Sequence, residues 1–304
     1  MSCPELPLPA SVVLREVGPR DGLQGERPLA PAERARLVEA LAAAGLRRIE
    51  AVSFVSPRLV PAMAGAAEVL ALVARRADLV LAALVPNRRG AALALEAGVD
   101  ELTATVAVSP AYNERNVGMS VEESLAEIAE VCALARPSGI PVDAVVSCAF
   151  GSPYEGDIEP DAVAVLVGRL RDAGVAAITV ADTTGMATPR RVRDLLDAVG
   201  PDVGLHLHET RGTGLVNAYA ALLCGARSFD TAVGGLGGSP FATGAAGNLA
   251  TEGLVALLDD LGVETGVRLD ELLAACRLVE ELVDHRLPSP VAYAGPRDRL
   301  ASSS

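Results

Sequence analysis

A chain of 304 residues, half of them hydrophobic, can bury a large core, either as one big α/β domain or as two small ones. Its net charge of −13 argues against a nucleic-acid partner, whose phosphates need a positive footprint. Lysine is absent and all 26 basic residues are arginine, which excludes Schiff-base aldolase, pyridoxal phosphate and P-loop chemistry, since each needs a lysine.

In chain order, short β-branched runs alternate with long Ala/Leu/Arg/Glu segments. Strands are predicted at 12–17, 48–53, 79–85, 101–108, 142–147, 177–182, 203–208 and 228–233. A helix over 31–45 opens on proline and closes at Gly45. Another over 120–136 opens on a capping box, with Ser120 as N-cap and Glu123 three residues on. Repeated strand–helix units imply parallel pairing, and eight of them predict a closed (β/α)8 TIM barrel. A C-terminal helix (about 268–284) and tail follow, making up 268–304, all within one catalytic domain spanning 1–304. The competing fold is a doubly wound open sheet, but its GxGxxG fingerprint is missing after strand one, where "GPRDGLQGE" stands instead.

Five scattered cysteines without a CxxC pair read as reduced thiols. The opening "MSCPELPLPASVV" lacks the basic and apolar regions of a leader, so a cytoplasmic location is expected. Every long apolar run is interrupted by Arg, Asp or Glu, so no membrane partner is expected.

Reactive residues of such a barrel sit at the C-terminal ends of its strands. His206 and His208 in "LHLHE" lie two apart on a strand, hence on one face. They read either as metal ligands or as hydrogen-bonded core histidines. "EVGPRDGLQ" places Arg20 and Asp21 in a Gly/Pro turn after strand one, as a metal-and-anion site or a surface ion pair. Asn248 follows the last strand as a further oxygen donor or a helix N-cap. Two nitrogens and two oxygens from Asp21, His206, His208 and Asn248 suit Mg2+ or Mn2+ better than zinc. Glu50 at strand two and Asp182 at strand six are candidate proton-transfer or supporting acids. Gln24 and Ser53 are candidate substrate contacts. Cys148 reads as a buried small hydrophobe. "GGLGGSPFATGAAGN" (234–248) matches neither GxGxxG nor a P-loop and reads as a mobile lid over the barrel mouth.

With "EVGPRDGLQ", "SFVSPRLVPAM", "SCAFGSPYEG", "HLHET" and "GGLGGSPFATGAAGNLATE" in this order, the chain resembles the 3-hydroxy-3-methylglutaryl-CoA (HMG-CoA) lyase family over about residues 12–284. The resemblance implies a metal-dependent TIM-barrel lyase that cleaves HMG-CoA, or a closely related 3-hydroxyacyl-CoA, to acetyl-CoA and a keto acid such as acetoacetate. It implies Asp21, His206, His208 and Asn248 as metal ligands, Arg20 as stabiliser of an enolate, and Glu50 and Asp182 as functional acids. It also implies an acyl-CoA partner and a homodimer. Ser239 stands where the family has a catalytic cysteine, whose thiol titrates near 8.5, far below an alkyl hydroxyl. That departure, with Glu209 in place of the usual Asp, leaves three alternatives: cleavage of a citramalyl-like thioester, a condensing enzyme, or a weakly active acyl-CoA-binding homologue.

Overall fold

The computed structural model describes residues 8–238 and 247–297. Eight parallel strands close into a barrel: β1 (Val13–Glu16), β2 (Arg48–Ser53), β3 (Val80–Leu84), β4 (Glu101–Ala107), β5 (Val142–Ser147), β8 (Ala177–Ala181), β9 (Gly204–His206) and β10 (Ser228–Thr231). Two short strands, β6 (Gly151–Ser152) and β7 (Gly156–Asp157), form a separate antiparallel hairpin. Every neighbouring pair in the barrel is parallel, and β1 closes the ring between β10 and β2. This is the (β/α)8 TIM barrel that the strand–helix alternation predicts.

The helices arise from the signals read in the sequence. Pro31 starts Pro31–Ala43 with its missing N–H at a position that needs none. Ser120 accepts from the Glu123 N–H at 3.2 Å while the Glu123 carboxylate accepts from the Ser120 N–H at 2.8 Å, capping Val121–Ala135. The C-terminal segment forms Leu269–Val283, which packs on Pro31–Ala43. Among the described residues, no helix is long and apolar enough to cross a membrane.

Two local features lie where the sequence pattern places no element, and one strand ends early. "PAYNERNV" forms a helix, Pro110–Val117, because Ser109 Oγ caps it at 3.0 Å and Pro110 occupies its first position. The β6–β7 hairpin fills the stretch after strand five. β9 ends at His206 rather than 208, because His208 leaves the parallel ladder to bridge Asn248 in antiparallel fashion. Asn248 consequently lies in that bridge and not at the helix N-cap, which is Ala250.

Outward-facing strand residues such as Leu14, Ile49, Leu102, Ile178, Leu205 and Phe229 are buried against the helical shell. The inward face differs from the usual stacked layers of branched aliphatics. Arg15, Glu101, Asp143, Thr179 and Asp230 converge there, all buried, and Arg15 is bonded or paired to each of the other four.

Candidate active site

The turn after β1 is tight: the N–H groups of Arg20, Asp21 and Gly22 all point at the Val17 carbonyl, at 3.2, 2.7 and 3.2 Å. It projects Arg20 into the barrel mouth. The guanidinium is clamped by two acids: Nε and Nη2 each lie 2.5 Å from Glu50 Oε2, and Nη1 lies 2.6 Å from Asp21 Oδ1. Burial by itself would raise the Asp21 carboxyl. The charges of Arg20 and His206, the Asn248 amide and the charge of His208 outweigh it and hold Asp21 below the ordinary carboxylate range.

Across the mouth, His206 and His208 approach through their Nε2 atoms at 3.1 Å. Both side chains thus share one face, as the period of two requires. The backbone of 247–249 runs beside 207–209, with Glu209 N donating to Gly247 O at 3.0 Å and Leu249 N to Leu207 O at 2.9 Å. That pairing brings Asn248 beside His208. Its Nδ2 donates to Asp21 Oδ2 at 2.8 Å and to Leu236 O at 3.0 Å, joining the two halves of the mouth. Glycine is required on both sides of this bridge. Gly237 adopts φ +107°, and a Cβ there would meet Asn248 Nδ2 at 2.5 Å; one at Gly247 would meet Gly235 O at 1.7 Å.

Asp182 follows β8. Its Oδ1 accepts from the Ala187 N–H at 2.9 Å, and burial pushes the carboxyl up to about 7. Its backbone N–H donates to His206 O at 2.8 Å, so the acid and the histidine pair are framed by adjacent strands. Ser53 ends β2, buried. Gln24 lies half-buried in the short Gly22–Gly25 turn below Asp21, with its backbone N–H on Asp21 O at 3.3 Å. Ser239 lies outside the described residues, as does the centre of the expected lid.

The polar atoms left without a protein partner mark where a ligand would sit. Buried atoms with no hydrogen bond include Glu50 Oε1, Ser53 Oγ, Asp182 Oδ2 and Asn248 Oδ1, all at the mouth and all on residues singled out in the sequence. Buried polar atoms are normally satisfied, so this grouping points to a polar ligand or ion. Among the described residues, no three His, Cys, Asp or Glu side chains stand as a ready-made metal cluster. Both Asp21 oxygens are engaged, one by Arg20 and one by Asn248. The donor chemistry nevertheless fits a divalent cation: two imidazole nitrogens, a carboxylate and an amide oxygen without a partner.

Sequence reasoning passed over Arg15 and Asp230. His206 Nδ1 lies 3.2 Å from Asp230 Oδ2, and Asp230 is held in turn by Arg15. Burial alone would lower the imidazole's affinity for a proton, but this carboxylate outweighs it and raises it. The available signal was the single arginine of "VVLREV", beside Glu16, and the single aspartate of "SFDTAV", opposite charges in otherwise largely apolar strands.

The HMGL-like family model matches residues 11–279. The 3-hydroxy-3-isohexenylglutaryl-CoA/hydroxy-methylglutaryl-CoA lyase of Pseudomonas aeruginosa is 44% identical over 88% of this chain and 91% of its own length. The (R)-citramalyl-CoA lyase of Chloroflexus aurantiacus is 42% identical over 94% and 95%. An HMG-CoA lyase structure from Acinetobacter baumannii, solved with coenzyme A and 3-methylmalate, superposes with a TM-score of 0.91 at 39% identity, covering 96% of this chain and 98% of that one. The fold, the clustered mouth residues and these likenesses agree: the chain belongs to the HMGL-like family, as a hydroxymethylglutaryl-CoA lyase-like enzyme.

Proposed function

We propose that the chain cleaves HMG-CoA, or a closely related 3-hydroxyacyl-CoA, to acetyl-CoA and a keto acid by divalent-metal-dependent retro-aldol chemistry. One observation carries the reading. A clamped guanidinium, a histidine pair and an amide oxygen without a partner meet at one barrel mouth, beside a carboxyl that burial pushes up to about 7. Asp21, His206, His208 and Asn248 would hold Mg2+ or Mn2+. When bound, the cation supplies Lewis-acid polarisation of the substrate's hydroxyl and carbonyl oxygens.

The chain's own residues supply the remaining chemistry. Asp182 takes the C3 hydroxyl proton at Oδ2, the oxygen without a protein partner. The C2–C3 bond then breaks, and its electron pair passes into the thioester enolate while C3 becomes a carbonyl. Arg20 keeps N–H groups free of its two acids and turns them to the enolate oxygen, where negative charge develops. Glu50 and Asp21 hold that guanidinium in place beforehand. Ser239, in the sequence position of the family's cysteine, would donate the proton that completes acetyl-CoA at C2. With no lysine in the chain, an imine cannot serve as the electron sink, consistent with a metal.

A second reading, cleavage of citramalyl-CoA, is favoured by the 42% identity to the citramalyl-CoA lyase. Incubating the protein with Mg2+ or Mn2+ and either thioester, with separate assays for acetoacetate, pyruvate and acetyl-CoA, decides between them. Acetoacetate from HMG-CoA supports the first reading. Pyruvate from citramalyl-CoA alone replaces it with the second, and no acetyl-CoA from either overturns both. Ser239→Cys raises kcat if proton delivery at C2 limits the rate.

A further inference from the structure

Arg15 is the one basic side chain described deep inside the barrel that meets three separate acids. It is 1% exposed. Its Nε and Nη2 donate to Asp230 Oδ1 and Oδ2, each at 2.7 Å, a two-pronged grip that fixes the plane of the carboxylate. On its other side Nη1 bonds Asp143 and lies 3.6 Å from Glu101, while Nη2 reaches Thr179 Oγ1 at 3.3 Å. Strand register makes the link to the mouth direct. Arg15 on β1 is the ladder partner of Asp230 on β10, which is the ladder partner of His206 on β9.

We propose that Arg15 is a positioning residue: by gripping Asp230 it keeps the proton of His206 on Nδ1, so that Nε2 turns its lone pair toward the barrel mouth. Asp230 Oδ2 receives an N–H from Arg15 and lies 3.2 Å from His206 Nδ1. An ionised carboxylate has no proton to give, so the hydrogen in that contact belongs to the imidazole. The ring is then committed to the tautomer whose Nε2 is a donor of electrons, 3.1 Å from Nε2 of His208. Carboxylates that orient ligating histidines in this way matter to metal sites nearly as much as the ligands do. The functional consequence rests on the metal reading above; the tautomer itself does not.

The competing account makes Arg15 a simple counter-charge for buried acids, in which case Asp143 and Asp230 are equivalent. Asp230→Asn separates the two. Arg15 donates to both oxygens of Asp230, so either orientation of the amide sets its NH2 group against one Arg15 N–H and breaks the two-pronged grip. The fixed carboxylate acceptor at His206 Nδ1 is lost with it, and the ring is no longer committed to one tautomer. Asp143→Asn removes the same buried charge without touching His206.

The experiment is histidine-selective 15N NMR of the full chain, at a pH where the rings are neutral. The protein has only three histidines, and His285→Gln identifies the exposed one. The expected result is an Nδ1–H pattern for His206 in the wild type and in Asp143→Asn, and a mixture of the two tautomers in Asp230→Asn. Mn2+ affinity by EPR falls about 10- to 100-fold in Asp230→Asn and is unchanged in Asp143→Asn. If Asp230→Asn does not fold, Arg15→Met combined with Asp143→Asn removes one charge of each sign; it releases Asp230 and yields a mixture of tautomers. An Nε2–H ring in the wild type, or a tautomer indifferent to Asp230 and Arg15, overturns the positioning role even where Mn2+ binds. Wild-type protein that shows the expected tautomers but no Mn2+ binding overturns the metal reading and leaves the positioning role standing.

Discussion

The two faces of the barrel sheet, a single residue apart along each strand, do opposite work. The outward face carries Leu14, Ile49, Leu102, Ile178, Leu205 and Phe229, buried against helices. Its contribution is hydrophobic, non-directional and roughly proportional to area. The inward face carries Arg15, Glu50, Glu101, Asp143, His206 and Asp230. Bringing charges out of water is expensive, and pairing them only repays the cost. That face therefore adds little to stability, while it fixes the direction of every polar group at the mouth. Burial alone does not identify a structural residue; the chemistry of the neighbours does.

The contrast can be broken at several points, and the largest expected effect lies on the inner side. Asp182→Asn, which removes the base but keeps the size, lowers kcat by about 10^2- to 10^4-fold with the fold intact by circular dichroism. Arg20→Met costs about 10^2- to 10^3-fold in kcat, measured under saturating thioester. Neither variant shifts the melting temperature as far as a deletion in the helical shell that covers the outer face. Leu170→Ala, in the fully buried stripe of helix Pro160–Ala173, loses about 2–5 kcal/mol by denaturant titration and retains wild-type kcat at low temperature. A catalytic loss at Leu170 as large as that at Arg20 would dissolve the division of labour.

Two pH effects sharpen the comparison. Asp182 acts as a base only when ionised, and burial holds its carboxyl up to about 7. The rate therefore rises with pH through a limb at or below about 7, since a bound cation favours the ionised form. A rate independent of pH from 5 to 8 would remove Asp182 from the role. Glu16 affects stability instead. Burial pushes its carboxyl up to about 7, against the bonds it accepts from Thr251 Oγ1, Val233 N and Gly18 N at 2.6, 2.9 and 2.8 Å. The folded state then binds a proton that the unfolded chain gives up near 4.5. This contribution is fully present below about 4.5 and is lost as pH rises through about 7, by at most ~3 kcal/mol. Glu16→Gln keeps an acceptor for the two N–H groups and flattens that part of the stability profile. An unchanged slope would show that Glu16 does not titrate in this range.

Strand–helix alternation was legible because each signal is local. β-branched runs, Pro31, the Ser120 capping box and the glycine stops act within a few residues, so the eight barrel strands fall where the pattern places them. The histidine pair was equally legible, since the period of two needs no partner element. Ser109 and the hairpin after β5 carried local signals that went unread, a cap on the Tyr112 N–H and the pairing of Ser152 with Gly156; only the bond that joins them, Ser109 to Glu155, spans 46 positions and needs the fold. Arg15 and Asp230 are 215 positions apart and meet only when the ring closes.

The sequence by itself determined the barrel, the motif order and the donor types at the strand ends, because periodicity and side-chain chemistry are properties of short stretches. Only tertiary structure decided which oxygens go without partners, that Asn248 bonds Asp21 while bridging His208, and that an arginine beneath the site grips the acid beside His206. Those outcomes depend on closure of the sheet, which sets the register between β10 and β1 and so decides which charges become neighbours.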